Sequence, residues 1–297
     1  MSLVAGIELG GTKCVCILAR GPDDILAEVR LPTTTPAETL FAIRAQVDEW
    51  CGAHSVQALG IASFGPLELD PAAPKFGRIV RTTKPGWSDA DLLAALVPTG
   101  LPVRLDTDVN GAALAEGRWG AARGLASYAY VTVGTGVGVG SIVAGAPVTG
   151  LGHSEAGHMR VPRLPGDSWP GACAFHRDCV EGLASGPAIA AAAGIDPRNL
   201  PADNFAWKRA AAALAAMCHN LVLTTTPSRI LIGGGVAAGR ADWLTDIRAR
   251  LVESLVGYAW ADRIEADPNF IAAPALADHA GPLGAVALGL AALEPAR

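Results

Sequence analysis

The sequence predicts an α/β fold made of two similar domains with a cleft between them. Strands alternate with helices along most of the chain, which is the pattern of layered α/β architectures. In addition, a strand, a glycine/threonine turn and a returning strand occur at residues 4–19 and again at 128–143. This repetition indicates a duplicated fold. We therefore expect a first domain at 1–120, a second domain at 121–280, and a last helix at 281–297 that packs back on the first domain.

The composition predicts a folded, cytoplasmic protein. The chain has 297 residues, 51% of them hydrophobic, which supports sizeable cores. Acidic residues outnumber basic ones by 28 to 23, and no basic run is present, so nucleic acid is not the expected partner. No apolar run reaches the roughly 18 residues of a membrane span, and the N-terminus lacks a signal-peptide pattern. Four cysteines, Cys14, Cys16, Cys51 and Cys218, are expected as buried thiols.

The first half opens with an antiparallel hairpin. Strands VAGIEL and CVCILA, within residues 4–19, are joined by the turn Gly10-Gly11-Thr12-Lys13, and a third strand, ILAEVR, follows. A capping residue at Thr35, a proline at the next position and Glu38 then predict a helix that runs to about Trp50. The remaining elements are expected as a strand at 56–64 that ends at Gly65-Pro66, a helix at 89–97, a strand at 103–107 and a helix at 110–119.

The second half repeats the opening hairpin. Strands Tyr128–Val133 and Val137–Val143 flank the turn Gly134-Thr135-Gly136. The segment 152–181 then interrupts the repeat. The remaining elements are expected as helices at about 185–194 and 204–223, a strand at 229–233 that leads into Gly233-Gly234-Gly235, and a helix at about 240–256.

The segment 152–181 has the spacing of a metal site. Cys173, His176 and Cys179 form a C-x2-H-x2-C row, and zinc prefers four thiolate and imidazole ligands in a tetrahedron. The row supplies three ligands, so a fourth must come from nearby. His158 is the expected fourth ligand, because its loop can close on the row at modest entropic cost, and His153 is the second choice. The alternative is a chance grouping of cysteines and histidines.

Three glycine-rich turns are candidate phosphate sites. Glycines let backbone N–H groups converge on an anion, and a hydroxyl or a lysine adds further donors. The first turn comprises Gly10, Gly11, Thr12 and Lys13, and the second comprises Gly134, Thr135 and Gly136. At matching positions of a duplicated fold, these turns are expected to hold nucleotide phosphates from both sides of a cleft. The third run, Gly233, Gly234 and Gly235, follows a strand and is expected near an adenine or a ribose. Ordinary hairpin turns and a helix-leading loop are the alternatives.

Asp108 is the expected general base. It lies just beyond a strand end, beside Asn110, where a carboxylate can project into a cleft, whereas Asp106 alternates to the opposite face of the strand. In phosphoryl transfer an aspartate accepts the proton of the attacking hydroxyl. The alternative role for Asp108 is to cap the following helix.

Taken together, these motifs resemble the ROK family of sugar kinases and repressors over about residues 4–290. The resemblance is carried, in this order, by Glu8-x-Gly-Gly-Thr-Lys13, Asp108-Val-Asn110-Gly-Ala-Ala, Gly134-Thr-Gly136, Glu155-Ala-Gly-His158, the cysteine/histidine row and Gly233-Gly-Gly235. It implies a two-domain fold of the hexokinase/actin type with duplicated ribonuclease H-like halves. It also implies ATP with Mg²⁺, transfer to a hexose 6-hydroxyl, a Zn²⁺ site and a homodimer.

The resemblance also assigns roles to residues. Asp108 is the base, Glu155 and Glu181 contact the sugar, and His158 both contacts the sugar and holds zinc. Gly65, Trp87, Thr107 and Asp108 complete the sugar-binding set. We expect that removing the metal lowers activity without changing the ATP contacts.

Two departures from the family pattern point to its fructokinase branch. Glu8 stands where the family has aspartate, and the row is C-x2-H-x2-C where C-x-C-G-x2-G-C is usual. Lys84-Pro85-Gly86-Trp87 and the run 181–187 are also similar to that branch, so D-fructose is the expected substrate. Glucose, mannose and N-acetylmannosamine remain alternatives, as does a catalytically silent sugar sensor. A repressor is not expected, because only three residues precede Val4.

Overall fold

The computed structural model describes residues 2–238 and 240–294. Its strands are β1 (Val4–Leu9), β2 (Lys13–Gly21), β3 (Asp24–Pro32), β4 (Ala58–Ser63), β5 (Val103–Thr107), β6 (Tyr128–Val133), β7 (Val137–Val143), β8 (Ala146–Pro147), β9 (Ile230–Gly233) and β10 (Ile271–Ala272). Its helices are α1 (Pro36–Ala53), α2 (Leu92–Leu96), α3 (Asp108–Trp119), α4 (Val180–Ala184), α5 (Gly186–Ala193), α6 (Phe205–Thr224), α7 (Ala241–Leu255), α8 (Ala261–Ala266) and α9 (Ala280–Ala291). Short 3-10 turns lie at Ala156–His158, Pro197–Asn199 and Ala277–His279.

The described residues form two compact units. The first takes residues from the ranges Met1–Arg123, Pro147–His153 and Asp278–Arg297, and the second takes Gly124–Ala146 and Ser154–Ala277. The division differs from the sequence-based one at Pro147–His153, which was expected in the second domain. This segment joins the first unit because the His153 ring accepts a hydrogen bond from the backbone of Leu67.

Each unit is built on a five-stranded sheet, and the two sheets share one topology. The first has the order β3-β2-β1-β4-β5, and the second has the order β10-β9-β6-β7-β8. In both, an antiparallel hairpin (β1–β2 or β6–β7) lies beside a parallel strand (β4 or β9). Read in reverse, the second order is β8-β7-β6-β9-β10. Each strand of the second sheet therefore takes the place of the strand numbered five lower in the first sheet. The predicted duplicated α/β fold is therefore confirmed.

Close helix packing fixes the start of α3 in the first unit. A Cβ on Gly60 of β4 would collide with the backbone of Ala285, and a Cβ on Gly284 of α9 would collide with Gly111 of α3. Glycines thus let α9 approach both the sheet and α3 at backbone distance. Since Gly111 lies in the first turn of α3, this packing sets the position of Asp108.

The core of the second unit surrounds α6. Its buried side chains include Trp207, Leu214 and Met217 from that helix together with Val131 and Ile232 from the sheet. Asn204 caps α6 by accepting a hydrogen bond from Ala206 N–H at 2.9 Å. This packed layer supports the strand ends from which the glycine-rich turns of this unit emerge. Within 2–238 and 240–294, no helix is both long and apolar enough to cross a membrane.

Candidate active site

Asp108 begins α3 directly after β5, and its neighbour caps the helix. Thr107 has the extended backbone of an N-cap, and its Oγ1 accepts a hydrogen bond from Asn110 N–H at 3.2 Å. Asp108 Oδ1 accepts one from Val109 N–H at 2.9 Å. The capping role considered for Asp108 therefore belongs to Thr107. Thr107 is only 4% exposed, so its hydroxyl serves the helix.

Asp106 is buried under the same helix start. Its Oδ1 accepts hydrogen bonds from Thr107 N–H and from Asn110 Nδ2, both at 2.7 Å. Burial raises the pKa of Asp106 above its ordinary value, although these hydrogen bonds oppose the shift. Asp106 therefore fixes the backbone from which Asp108 projects.

Glu8, near the end of β1, is close to Asp108. Burial raises the pKa of Glu8 to about 7, and the negative charge of Asp108 adds to the shift, while Lys13 opposes it. A Cβ on Gly281 would collide with the Glu8 carboxylate, so only glycine at that position leaves room for the longer acid. A half-buried carboxylate beside a second one fits a divalent cation, because the cation favours the ionised form.

The first glycine-rich turn is supported from two directions. Gly10 N–H donates to Lys13 O at 3.1 Å, and Thr33 Oγ1 donates to Gly10 O at 2.8 Å. Lys84 Nζ donates to Gly11 O at 2.5 Å, so a second ammonium group joins Lys13 at this turn. Thr12 and Lys13 are exposed. The turn therefore offers backbone groups, a hydroxyl and two cations to an anion.

Trp87 anchors the loop that carries Lys84. Its side chain is fully buried, its Nε1–H donates to Thr34 O at 3.0 Å, and its ring meets Phe64 edge-on at 5.2 Å. Because it has no exposed surface, Trp87 acts on a ligand only through the loop that it holds.

Gly65 and His153 lie together in the first unit. His153 Nε2 accepts a hydrogen bond from Leu67 N–H at 2.9 Å, and a Cβ built on Gly65 would lie 3.4 Å from the same ring. His153, the second choice for a zinc ligand, is thus used to fix the chain after Gly65.

The second glycine-rich turn has its own network. Gly134 N–H donates to Gly136 O at 2.9 Å, and Gly186 N–H, at the start of α5, donates to Gly134 O at 2.8 Å. Thr135 is exposed.

The third glycine run packs against the base of this second turn. Gly234 has a φ of +89°, and a Cβ there would meet the backbone of Val133 at 2.5 Å. Val236 N–H donates to Val133 O at 2.9 Å. The runs Gly134–Gly136 and Gly233–Gly235 are therefore neighbours in the second unit.

Four side chains form a compact cluster with metal-ligand chemistry: His158, Cys173, His176 and Cys179. Their ligand atoms all lie within 4.8 Å of one another. Sγ of Cys173 is 3.7 Å from His158 Nδ1 and 3.8 Å from His176 Nδ1, and Cys179 Sγ is 3.5 Å from His158 Nδ1.

This donor set fits zinc. Tetrahedral zinc, with Zn–S near 2.3 Å and Zn–N near 2.0–2.1 Å, separates its ligand atoms by roughly 3.3–3.8 Å. The three distances above fall in that interval. Burial raises the pKa of Cys179 to about 11, and a bound cation is what favours the thiolate.

Two carboxylates flank the cluster. His158 directs Nδ1 to the cysteines, and its Nε2 lies 3.8 Å from Glu155 Oε2. Glu181, in the first turn of α4, accepts a hydrogen bond from Val137 N–H at 3.2 Å. Glu155 is exposed and Glu181 half-buried.

A second anchor holds this segment, and the sequence alone does not indicate it. Asp167, with only 2% of its side chain exposed, makes two hydrogen bonds of 2.8 Å to Arg209 of α6 and one of 2.9 Å to Arg163. The Arg209 hydrogen bonds hold the pKa of Asp167 well below its usual range. Arg209 also lies 5.1 Å from the rings of Trp169 and Phe205.

No local signal pairs these residues, since Asp167 and Arg209 are far apart in the sequence. Lys84 belongs to the motif Lys84-Pro85-Gly86-Trp87, but the sequence does not place it at the site, because its contact with Gly11 depends on how the loop folds.

The fold and the site define a class. Two α/β units of one topology, each with a glycine-rich hairpin, and an aspartate at the start of α3 are the features of the hexokinase/actin type. Within that class, the ROK family model matches residues 4–292. The chain therefore belongs to the ROK family.

Similar proteins cover the whole chain. It is 38% identical over 295 residues to a fructokinase of Pediococcus pentosaceus, covering 99% of this chain and 100% of that one. It is 41% identical over 294 residues to a fructokinase of Zymomonas mobilis subsp. mobilis, covering 96% of each. Among solved structures, a ROK family glucokinase from Streptomyces griseus in complex with glucose and AMPPNP aligns with a TM-score of 0.76 and 26% identity, over 98% of this chain and 100% of that chain.

Proposed function

We propose that this protein is an ATP-dependent sugar kinase that converts D-fructose to fructose 6-phosphate. The observation that carries this assignment is the similarity to two fructokinases over nearly the full length of both chains. The retained aspartate at the start of α3 supports catalysis rather than sugar sensing alone.

In this proposal, Asp108 is the general base. Its carboxylate accepts the proton of the fructose 6-hydroxyl while that oxygen forms a bond to the γ-phosphorus of ATP. The bond between the γ-phosphorus and the bridging oxygen breaks, and ADP leaves. The half-buried position of Asp108 limits access of competing water.

The phosphates bind at the glycine-rich turns. Backbone N–H groups of Gly11 and Thr12, with the ammonium groups of Lys13 and Lys84, offset the charge on the transferred group, while Gly10 N–H closes the turn on Lys13 O. Gly134, Thr135 and Gly136 bind further phosphate oxygens, and Gly233, Gly234 and Gly235 line the nucleoside side. The AMPPNP complex of the similar glucokinase supports nucleotide binding. Bound Mg²⁺ neutralises phosphate charge, and Glu8 is the carboxylate that would hold it through water.

The sugar contacts come from Asp108, Glu155, His158 and Glu181. Thr107 and Trp87 are buried, and Gly65 lies beside the His153 ring. We therefore propose that these three residues position the backbone next to the sugar contacts.

The metal cluster would hold Zn²⁺ in a structural role. His158, Cys173, His176 and Cys179 complete four-fold coordination with no position left for a substrate. The ion would tie the segment that carries Glu155 to the helix that carries Glu181.

We also propose that the protein is a cytoplasmic homodimer. A group of exposed apolar residues, Val256, Tyr258 and Trp260, supports association through the second unit. Light scattering coupled to size exclusion tests this, and a monomer at micromolar concentration contradicts it.

The test of catalysis replaces Asp108. With Mg²⁺, ATP and fructose, Asp108→Asn should lower kcat by roughly 10²- to 10⁴-fold, measured as ADP release. Asp48→Asn is the matched control, since Asp48 pairs with Arg44 on the surface of α1, and it should retain wild-type activity. Equal activity of Asp108→Asn and wild type would remove the proposed base.

A further inference from the structure

Glu181 contacts the backbone at the exit of the second glycine-rich turn. Its Oε2 accepts the Val137 N–H at 3.2 Å, and a Cβ added to Gly136 would lie 2.7 Å from that same oxygen. The carboxylate therefore packs directly on the residue pair that ends the turn. Any side chain at position 136 would displace it.

The same turn is held at two further points. Gly186 N–H donates to Gly134 O at 2.8 Å at the turn's entry. Gly157 packs so closely on Val137 O that a Cβ there would collide with it. Val137 is thus contacted on its N–H side by Glu181 and on its carbonyl side by Gly157.

Both contacts on Val137 come from the metal-binding segment. Gly157 directly precedes His158, and Glu181 follows Cys179 by two residues. Short elements, the 3-10 turn Ala156–His158 and helix α4, carry them. The metal ligands and the phosphate turn are therefore linked through one hydrogen bond and one backbone contact within the second unit.

We propose that Glu181 is a positioning residue for the nucleotide: its carboxylate holds Val137 N–H and thereby keeps Gly134–Gly136 in the shape that binds phosphate. A carboxylate accepts at both oxygens, so the same side chain can also accept from a sugar hydroxyl. Nucleotide affinity then depends on Glu181 even when no sugar is present. This inference rests on the proposed function, in which this turn binds ATP.

The test measures AMPPNP binding with Mg²⁺ and without sugar, by titration calorimetry on the metal-loaded protein. Glu181→Ala should weaken binding roughly tenfold, because the hydrogen bond to a charged acceptor is lost. Glu181→Gln retains an amide oxygen that can accept from Val137 N–H, so it should restore affinity to within about threefold of wild type. If Glu181 only binds sugar, Glu181→Ala and Glu181→Gln should both bind AMPPNP with wild-type affinity, and that result overturns the proposal.

Glu253→Ala is the matched control, since Glu253 is an exposed glutamate of α7 in the second unit and has no part in the proposed site. It should leave AMPPNP affinity unchanged, and a loss equal to that of Glu181→Ala would contradict a specific role for Glu181. Hydrogen exchange of residues 133–138 gives a second readout that needs no nucleotide. Faster exchange in Glu181→Ala supports the positioning role, and unchanged exchange overturns it. Should wild type fail to bind AMPPNP, the nucleotide site is wrong, whereas the exchange result still reports on Glu181.

Discussion

At the scale of single residues, the most informative group is Glu8. It stands at the end of β1 where the family pattern has aspartate, and the start of α9 accommodates the longer side chain only because residue 281 is glycine. Burial and the neighbouring Asp108 together make its charged form unfavourable in the free protein. Ionised Glu8 therefore destabilises the free protein, and a bound cation would offset this cost.

The raised pKa of Glu8 makes the stability of the protein depend on pH. The pKa of Glu8 is raised from 4.5 to about 7, so between these values the folded state binds more protons than the unfolded state. The free energy of unfolding then falls as pH rises through this interval. We expect Glu8→Gln to be more stable than wild type by about 3 kcal/mol at pH 8, and the difference to vanish near pH 4.5.

Urea unfolding of the nucleotide-free protein between pH 4.5 and 8 measures this difference. A gap between wild type and Glu8→Gln that stays constant with pH would show that Glu8 ionises as an ordinary surface carboxyl.

Lys84 supplies a second prediction at this scale. Its ammonium group lies on Gly11 O in the first turn, so it can contact a phosphate oxygen that binds there. Lys84→Met, which keeps the length of the side chain but not its charge, should lower kcat/KM for ATP roughly 10- to 100-fold. Lys75→Met is the control, since Lys75 pairs with Asp89 on the surface. Equal losses in both variants would contradict a specific role for Lys84.

At the scale of elements, the segment between β8 and α4 is held at two places. The cysteine/histidine cluster closes one end, and the Asp167–Arg209 pair ties the middle of the segment to α6. In the proposed zinc-bound form only the first of these depends on metal, so chelation should release the residues near His158 and Glu181 while Asp167 stays in place.

Metal removal should consequently affect the nucleotide as well as the sugar. From the sequence alone we expected the ATP contacts to be unchanged, but the Glu181–Val137 hydrogen bond links the two sites. Chelation, or Cys173→Ser, should therefore lower activity and weaken AMPPNP binding together. Full activity in protein shown by elemental analysis to be metal-free would contradict the structural role of the cluster.

The buried ion pair should contribute strongly to stability. Arg209→Met leaves the Asp167 carboxylate buried with its main partner removed, which costs roughly 3–5 kcal/mol. Arg198→Met is the matched control, because Arg198 makes a similar pair with Asp196 but is 87% exposed, and it should leave stability unchanged. Denaturant midpoints of the two variants decide the matter, and similar midpoints would contradict the prediction.

How much of this the sequence could predict also differs by element. Strands β5, β6 and β7 have the predicted bounds, because each carries apolar or β-branched residues at alternate positions, such as Val103, Leu105 and Thr107 in β5. Strand β10 and helices α4 and α8 were missed, since at two, five and six residues they have no periodicity of their own. They form because neighbouring strands and helices pack against them.

The candidate site divides in the same way. Short-range patterns indicated the cysteine/histidine row, the glycine turns and Asp108. The burial of Trp87 and the contact of Lys84 with Gly11 were not predictable, because each depends on a backbone group that is distant in the sequence. The spacing of residues in the sequence predicts ligand chemistry well, but it predicts long-range contacts poorly.

At the scale of the whole molecule, the activity proposed for this member of the ROK family is the phosphorylation of fructose. The duplicated units supply two glycine-rich hairpins of one topology, and the full-length similarity to fructokinases supports the choice of sugar. Glucose, mannose and N-acetylmannosamine are the competing substrates, because they carry the same reactive 6-hydroxyl.

The most direct measurement is ADP release by the purified protein with Mg²⁺ and ATP, using fructose, glucose, mannose and N-acetylmannosamine in separate samples. We predict the highest kcat/KM with fructose and formation of fructose 6-phosphate. A higher kcat/KM with another hexose would contradict the substrate while preserving the role of Asp108. Absence of turnover with every sugar, in protein shown to contain zinc, would contradict the kinase assignment itself.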